Sequence, residues 1–146
     1  QLPSDVTKRN DWLLSRARSS IEQSTNLSIT LTKQITPFDL ECVTQELEAA
    51  QLARADKLAT FIRYITDGLN VEQPPDATLR VYMQQLELFE SVLPELAARI
   101  LRDWKYKSFP SIQFIQSAHH SLPASRRLLR LHMLKTKLEN ILSDES

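Results

Sequence analysis

The sequence contains very little glycine. Gly68 is the only glycine among 146 residues, whereas average usage would give about ten. Tight β-turns, bulges and phosphate-binding loops all depend on the conformational freedom of glycine. A glycine-rich loop of the GxGxxG or GxxxxGK type is therefore impossible here, and a strand-rich fold is disfavoured. An all-α fold is the economical prediction.

Cysteine and long apolar segments are also scarce. Cys42 is the single cysteine, so no intrachain disulfide can form and nothing indicates an oxidising compartment. No apolar run approaches the roughly 20 residues that cross a bilayer, and the N-terminal QLPSDVTKRN lacks the apolar stretch of a signal peptide. We therefore expect a cytoplasmic or nuclear location. Because residue 1 is Gln and not Met, the chain is interpreted as either a complete protein or a fragment of a larger one.

What the chain does contain is typical of a folded globular protein. Hydrophobic residues make up 42% and charged residues 25% of the sequence, and the length suits one domain with its own core. We find no internal repeat. The prediction is a single helical-bundle domain over residues 1–146.

The N-terminal half predicts two long amphipathic helices. The first begins at Ser4 or Asp5 and follows a heptad pattern to about Ile35. LSITLT, residues 27–32, also alternates like a strand, so a strand there stays an alternative. Thr36 followed by Pro37 is a helix start signal, and the second helix runs from there to a glycine stop in TDGLN, residues 66–70.

The C-terminal half predicts two or three more helices. VEQPPD, residues 71–76, is a loop, and a third helix follows it to Trp104 with a kink or break at Pro94. A short helix is expected over residues 111–118, and a last one from Pro123 to Leu142. Together the predicted helices form an antiparallel bundle of four to five helices.

No set of residues predicts catalysis. His119 and His120 are adjacent and would point about 100° apart on a helix, which does not suit a shared metal ion. Cys42 stands next to an apolar position, and free cysteine is most often buried. We therefore predict no enzyme activity, no cofactor, no metal site and no small-molecule substrate. The glycosylation triplet Asn26-Leu27-Ser28 is discounted because it falls within the predicted first helix.

Charge is segregated along the chain although the net charge is zero. Residues 39–98 carry eleven acids and four bases, and residues 99–137 carry nine bases and one acid. In RILRDWKYKSF, residues 99–109, aromatic side chains alternate with bases. Such asymmetry indicates an anionic partner, and Trp, Tyr and Arg are enriched at the energetic centres of protein interfaces.

These patterns lead to one functional hypothesis and one alternative. The hypothesis is a non-catalytic helical protein-interaction or scaffolding module within a larger assembly, which binds another protein through helix surfaces and could also self-associate. The alternative is binding of nucleic acid or an anionic membrane through residues 99–137. In both cases the predicted partner-binding residues are Arg99, Arg102, Trp104, Lys105, Tyr106, Lys107, Arg126, Arg127 and Arg130.

A purely structural interpretation of the same charges, without a partner, also stays open. The bases could pair with the acids of residues 39–98 inside the chain, and Trp104 could belong to the core. Arg126 and Arg127 stand in the predicted first turn of the last helix, where the helix dipole disfavours cations by some tenths of a kcal/mol. This placement favours the interpretation that Arg126, Arg127 and Arg130 meet an external acidic group, while compensation by an acid of the same chain stays an alternative.

Overall fold

The structure is a computed structural model that describes residues 2–144, so Gln1, Glu145 and Ser146 lie outside the described residues. It confirms the all-α prediction, with no strand over the described range apart from an isolated bridge between Leu52 and Phe89. Its elements are α1 Ser4–Gln23, α2 Ile29–Thr32, α3 Pro37–Ala49, α4 Ala55–Leu69, α5 Asp76–Gln85, a 3-10 helix Glu90–Val92, α6 Leu93–Asp103, α7 Ile112–Ser121 and α8 Pro123–Asp144.

The chain divides into two compact units. Unit 1 comprises residues 1–50 and 127–146, and unit 2 comprises residues 51–126. The eight described α-helices replace the four to five that the sequence predicted, because three predicted helices are each interrupted. A single domain over residues 1–146 stays a prediction.

In unit 1, α1 packs along α3. The predicted start of α3 is confirmed: Asp39 accepts a hydrogen bond from the Thr36 N–H at 3.0 Å, and Arg9 donates to both Asp39 carboxylate oxygens at 2.6 and 3.1 Å. This arrangement satisfies a buried carboxylate and caps the helix at once. The core is aliphatic and includes Leu13, Ala17, Val43, Leu131, Leu134 and Leu138, which are fully buried.

The predicted first helix does not reach Ile35. It ends at Gln23, where Ser24 adopts a left-handed conformation with φ of 55° and the Thr25 N–H donates to the Ser20 carbonyl at 2.9 Å. After a short loop, the Ser28 hydroxyl accepts from the Leu31 N–H at 3.1 Å and starts the single turn of α2. LSITLT is therefore neither a continuation of α1 nor a strand. Asn26 is exposed in the loop, and not within a helix as we expected.

The predicted second helix is interrupted at residues 50–54. The Ala53 N–H donates to the Leu88 carbonyl and the Glu90 N–H to the Gln51 carbonyl, each at 2.8 Å. Backbone groups that would otherwise continue a helix thus pair with a segment distant in sequence. Nothing local in this alanine-rich and charged stretch signals the break.

The predicted glycine stop is wrong by two residues. Asn70 ends α4 in the left-handed conformation with φ of 55°, and the Val71 N–H donates to the Thr66 carbonyl at 3.2 Å. Asparagine tolerates this conformation because its short polar side chain bonds locally. Gly68 lies inside α4, where an added Cβ would stand 2.6 Å from the Leu101 side chain. The only glycine therefore allows close approach of α4 and α6.

The predicted kink or break at Pro94 is not confirmed at that residue, and the helix is broken before it. In place of one long third helix, α5 ends at Gln85, residues 86–89 are not helical, and Pro94 lies in the first turn of α6. Proline is favoured there because the N–H groups of the first helical turn have no hydrogen-bond acceptor within the helix, and proline has no N–H to leave unpaired. The last two predicted helices are confirmed as α7 and α8, and Ser111 caps α7 by accepting the Phe114 N–H at 3.2 Å.

His119 on α7 holds the paired segment of unit 2 in place. The ring is fully enclosed, with 1% of its surface exposed, and Nε2 accepts a hydrogen bond from the Phe89 N–H at 3.1 Å. The Phe89 ring lies 5.3 Å from the His119 ring. Burial, and then the neighbouring His120, lowers the pKa of His119 to about 4. The neutral imidazole is thus part of the folded structure.

We predict that unit 2 loses stability in mild acid through His119. The pKa falls from the ordinary value of 6.5 to about 4 on folding, so the unfolded chain takes up a proton that the folded chain resists between these values. The contribution is complete above pH 6.5, decreases as the pH falls towards 4, and amounts to on the order of 3 kcal/mol. Urea unfolding across this range measures it.

The variant His119→Leu should unfold more easily at neutral pH because the Phe89 N–H loses its acceptor. Its stability should also change less between neutral pH and about pH 4.5 than that of the parent or of the control His120→Gln, which alters an exposed ring. A proton NMR titration in which the folded His119 ring ionises near its ordinary pKa would contradict the prediction.

A separate prediction concerns the end of α4. Glycine adopts the left-handed conformation at no steric cost, so Asn70→Gly should raise the free energy of unfolding by up to about 1 kcal/mol, and Asn70→Ala should lower it by a similar amount. Thermal unfolding of the two variants measures the difference. Equal stability of both would show that residue 70 does not hold this backbone conformation in solution.

Candidate partner-binding site

The nine predicted partner-binding residues are divided between the two units. Arg99, Arg102, Trp104, Lys105, Tyr106, Lys107 and Arg126 belong to unit 2, while Arg127 and Arg130 belong to unit 1. In unit 2 the first six surround the C-terminal end of α6 and the segment that follows it. We call these six residues the basic-aromatic surface.

Two aromatic anchors fix the segment after α6. Trp104 packs its ring 4.7 Å from that of Phe114, and its indole N–H donates to the Ser108 carbonyl at 2.8 Å. Five residues further on, Phe109 meets Tyr82 edge to face at 5.4 Å, and the Tyr82 hydroxyl donates to the Pro110 carbonyl at 2.8 Å. The segment between α6 and α7 has no regular backbone structure, but packing of Trp104 and Phe109 holds both of its ends in place. Trp104 is thus largely a packing residue, which agrees with the interpretation that it belongs to the core.

Tyr106 lies between these anchors and projects outward. It is 69% exposed, and its ring meets Trp104 at 4.9 Å with a steep angle between the planes. Lys105 and Lys107 on either side are also exposed. An aromatic ring held in this way offers contact area that has little conformational freedom left to lose.

Part of the positive charge completes the end of α6. Arg102 binds Asp103 through two hydrogen bonds of 2.8 and 3.2 Å, and the Lys105 ammonium donates to the Arg102 carbonyl at 3.1 Å. Cations are favoured at a helix C-terminus, where carbonyls lack helical donors. The hydrogen bond from Arg102, followed by the charges of Arg102, Arg99 and Lys105, lowers the pKa of Asp103. One carboxylate thus faces three converging cations.

Arg127 is engaged inside unit 1. Its guanidinium donates to both carboxylate oxygens of Glu46 on α3, at 2.7 and 3.1 Å, and also to Asp11 on α1. Asn10 donates to the same Glu46 at 2.8 Å and to the Cys42 carbonyl at 3.1 Å. Acids of the same chain therefore compensate this arginine, and the expectation of an external acidic group is wrong for Arg127. Asp11 and Asn10 were not among the predicted residues, although buried Asn10 lies on the inner side of α1 and exposed Asp11 is its neighbour in the chain.

The ionisation of this network follows from its contacts. Burial alone would raise the pKa of Glu46, but the hydrogen bonds from Arg127 and Asn10 outweigh it and lower the pKa. The same bond to Glu46 raises the pKa of Arg127, against the effect of burial. Both groups are charged in the folded chain, so α8 joins α1 and α3 of unit 1 by a charge-assisted, bidentate contact.

Arg126 and Arg130 have no such partner. Both are exposed, and over residues 2–144 neither makes a side-chain hydrogen bond or an ion pair. They stand four residues apart on one helix, where like charges disfavour each other by some tenths of a kcal/mol. Of the three arginines of the RRLLR stretch, only Arg127 is accounted for by the fold.

Cys42, the single cysteine, is buried in unit 1. Cys42 is 1% exposed, and burial, with a smaller effect from Asp39, raises the pKa of its thiol, which disfavours the nucleophilic thiolate. Among residues 2–144, no group of three or more His, Cys, Asp or Glu side chains is placed to hold a metal ion. The prediction that the chain is not an enzyme stays a prediction.

Comparisons with family models, with curated proteins and with solved structures gave no match to this chain. Over the part of the chain that the structure describes, none of the helices is both long and apolar enough to cross a membrane.

We predict that Arg127 stabilises unit 1 strongly. Replacing it in Arg127→Met leaves the Glu46 carboxylate, in a side chain only 10% exposed, without its cation, so the free energy of unfolding should fall by about 2–4 kcal/mol. The double variant Arg127→Met with Glu46→Met should recover part of the loss because the uncompensated Glu46 carboxylate is removed as well. Urea unfolding followed by Trp12 fluorescence in a Trp104→Phe background reports on unit 1.

The matched control is Arg130→Met, which removes an exposed arginine on the same helix and should change stability by no more than about 0.5 kcal/mol. If Arg127→Met and Arg130→Met had equal effects, the network would not contribute to stability.

Proposed function

We propose that this chain is a non-catalytic helical module that binds another protein, as one subunit of a larger assembly. The observation that carries the proposal is Tyr106, 69% exposed on a segment tied down by Trp104 and Phe109. Tyrosine and arginine dominate the energetic centres of interfaces. Pre-ordering of the segment lowers the entropy lost on binding.

The charge of the basic-aromatic surface supports an acidic partner segment. Four cations, Arg99, Arg102, Lys105 and Lys107, stand with one carboxylate, Asp103. Asp103 already engages Arg102, and Arg99 donates to the Ser121 hydroxyl. A surface of this sign speeds encounter with an acidic segment and disfavours a basic one.

Nucleic acid is less well supported than a protein partner. Binding of single strands uses several aromatic rings on which successive bases stack. Trp104 is packed between Phe114 and Tyr106, so of the two rings of the basic-aromatic surface Tyr106 is the one that is largely exposed for stacking. A cytoplasmic or nuclear location also belongs to the proposal, since Cys42 is a free thiol.

The proposal predicts that a protein captured from an extract of the source cells by the immobilised full chain is lost with Tyr106→Ala. After purification of the captured protein, Tyr106→Ala should weaken its dissociation constant by about tenfold or more. The matched control is Tyr64→Ala, because Tyr64 is 58% exposed on α4 of the same unit. Circular dichroism of both variants checks that the fold is kept.

Two outcomes would contradict the proposal. One is equal capture by the parent and by Tyr106→Ala. The other is binding of an RNA or DNA oligonucleotide or of anionic vesicles that depends on Tyr106 and falls steeply with salt, as release of counterions from phosphates requires. The second outcome would favour the alternative function in place of protein binding.

A further inference from the structure

Two depressions of unit 1 lie along α8, one beside α1 and the other beside the loop and the short helix α2 that follow α1. One depression of about 390 Å³ is lined by residues of α1 that include Leu14 and Ile21, and on α8 by Arg127 and Arg130. A second of about 500 Å³ follows along α8, where Met133, Lys137 and Ile141 line it opposite Leu27. We call the two depressions together the α1–α8 groove.

Apolar side chains lie at the base of both depressions, among the polar side chains that also line them. Ile21 and Leu27 are buried beneath the groove, and Met133 is 39% exposed within it. Methionine adapts its shape to an incoming apolar side chain because its unbranched chain has three rotatable bonds and a polarisable sulfur. The groove thus offers both a fixed apolar base and one adaptable contact.

The rim of the groove is basic. Arg18 pairs with Glu22 at 3.0 Å, and Arg127 with Glu46 and Asp11. Lys137 donates only to the Thr25 carbonyl, at 2.6 Å, and Arg130 makes no side-chain hydrogen bond or ion pair over residues 2–144. Arg130 and Lys137 therefore have no carboxylate partner. Met133 is three residues after Arg130 and four before Lys137, so the three side chains lie on one face of α8.

We propose that the α1–α8 groove binds an acidic amphipathic helix of another protein. From Arg127 to Ile141 the groove follows α8 over about 21 Å, which is about four turns of a bound helix. Its apolar residues would contact Met133 and the floor, and its carboxylates would pair with Arg130 and Lys137. An amphipathic helix in an apolar groove is a recurrent recognition mode.

Other anionic partners fit the groove less well. No aromatic side chain lines either depression, so bases of a nucleic acid would find no ring on which to stack. The apolar residues form the bottom of a concavity, whereas binding to a bilayer surface needs an apolar face that projects into it. The surface lies in unit 1 and does not depend on Tyr106.

The test is a selection from phage-displayed helical peptides of about 16 residues on the immobilised full chain. We expect enriched peptides to carry Glu or Asp together with Leu, Ile or Phe at helical spacing. Synthetic peptides of these sequences should bind the variant Arg130→Glu at least about tenfold more weakly, because an attractive pair becomes a repulsive one. Arg130→Gln should show a smaller loss, and Met133→Glu should also weaken binding.

The matched control is Arg63→Glu, which makes the same charge change at an exposed position on α4 of unit 2. Peptides that bind Arg130→Glu and the parent equally, or a selection without enrichment, would overturn the proposal. So would binding of oligothymidylate, or of vesicles of equimolar phosphatidylcholine and phosphatidylserine, that is lost with Arg130→Glu.

The same peptides separate this proposal from the one on unit 2. Tyr106→Ala should bind them as the parent does, since Tyr106 belongs to the other unit. Loss of peptide binding in Tyr106→Ala but not in Arg130→Glu would place the peptides on the basic-aromatic surface and overturn the groove.

Discussion

Unit 1 depends on the contact between the Arg127 guanidinium and the Glu46 carboxylate. The two groups meet through paired hydrogen bonds of 2.7 and 3.1 Å, with Asp11 and Asn10 as further partners. The contact also resolves the electrostatic conflict of α8, whose first turns are basic. An unfavourable helix dipole costs some tenths of a kcal/mol, which is small beside the cost of leaving a buried carboxylate without its cation.

Helix starts that are set by a local cap were predictable from sequence, whereas the interruptions that separate α1 from α2, α3 from α4 and α5 from α6 were not. Thr36-Pro37 and Ser111 act through bonds to residues within the next turn, so a single sequence window contains the whole cause. The breaks at Ser24 and at residues 50–54 have other causes. The second forms because residues 51–53 pair with residues 88–90, and no local pattern records a partner so far along the chain. Asn70 shows that a left-handed end does not require the glycine two residues earlier.

The residue types of the candidate site were predictable from sequence, but the different roles that the fold gives to the nine residues were not. The sequence grouped nine residues by charge and aromatic content, while the fold gives them different tasks. Arg127 is compensated by carboxylates 81 and 116 residues away in the chain, Trp104 packs against Phe114, and Arg102 and Lys105 bond at the end of α6. Tyr106, Lys107, Arg126 and Arg130 are exposed and stay candidates for contact with a partner. Such a distinction requires distances between segments, which a single sequence does not provide.

The order of the two units along the chain has a consequence for synthesis on the ribosome. Unit 2 is one continuous stretch, whereas unit 1 is assembled from both ends of the chain. Since chains emerge N-terminus first and domains fold as units, α1 and α3 must wait, with Glu46 and the apolar side chains of their inner faces uncovered, until α8 has been made. All residues of unit 2 have been synthesised before α8 is complete. Residues 1–50 are thus synthesised before residues 51–126 but reach their final packing only after α8 has been made, and in that interval their apolar inner faces are open to chaperones.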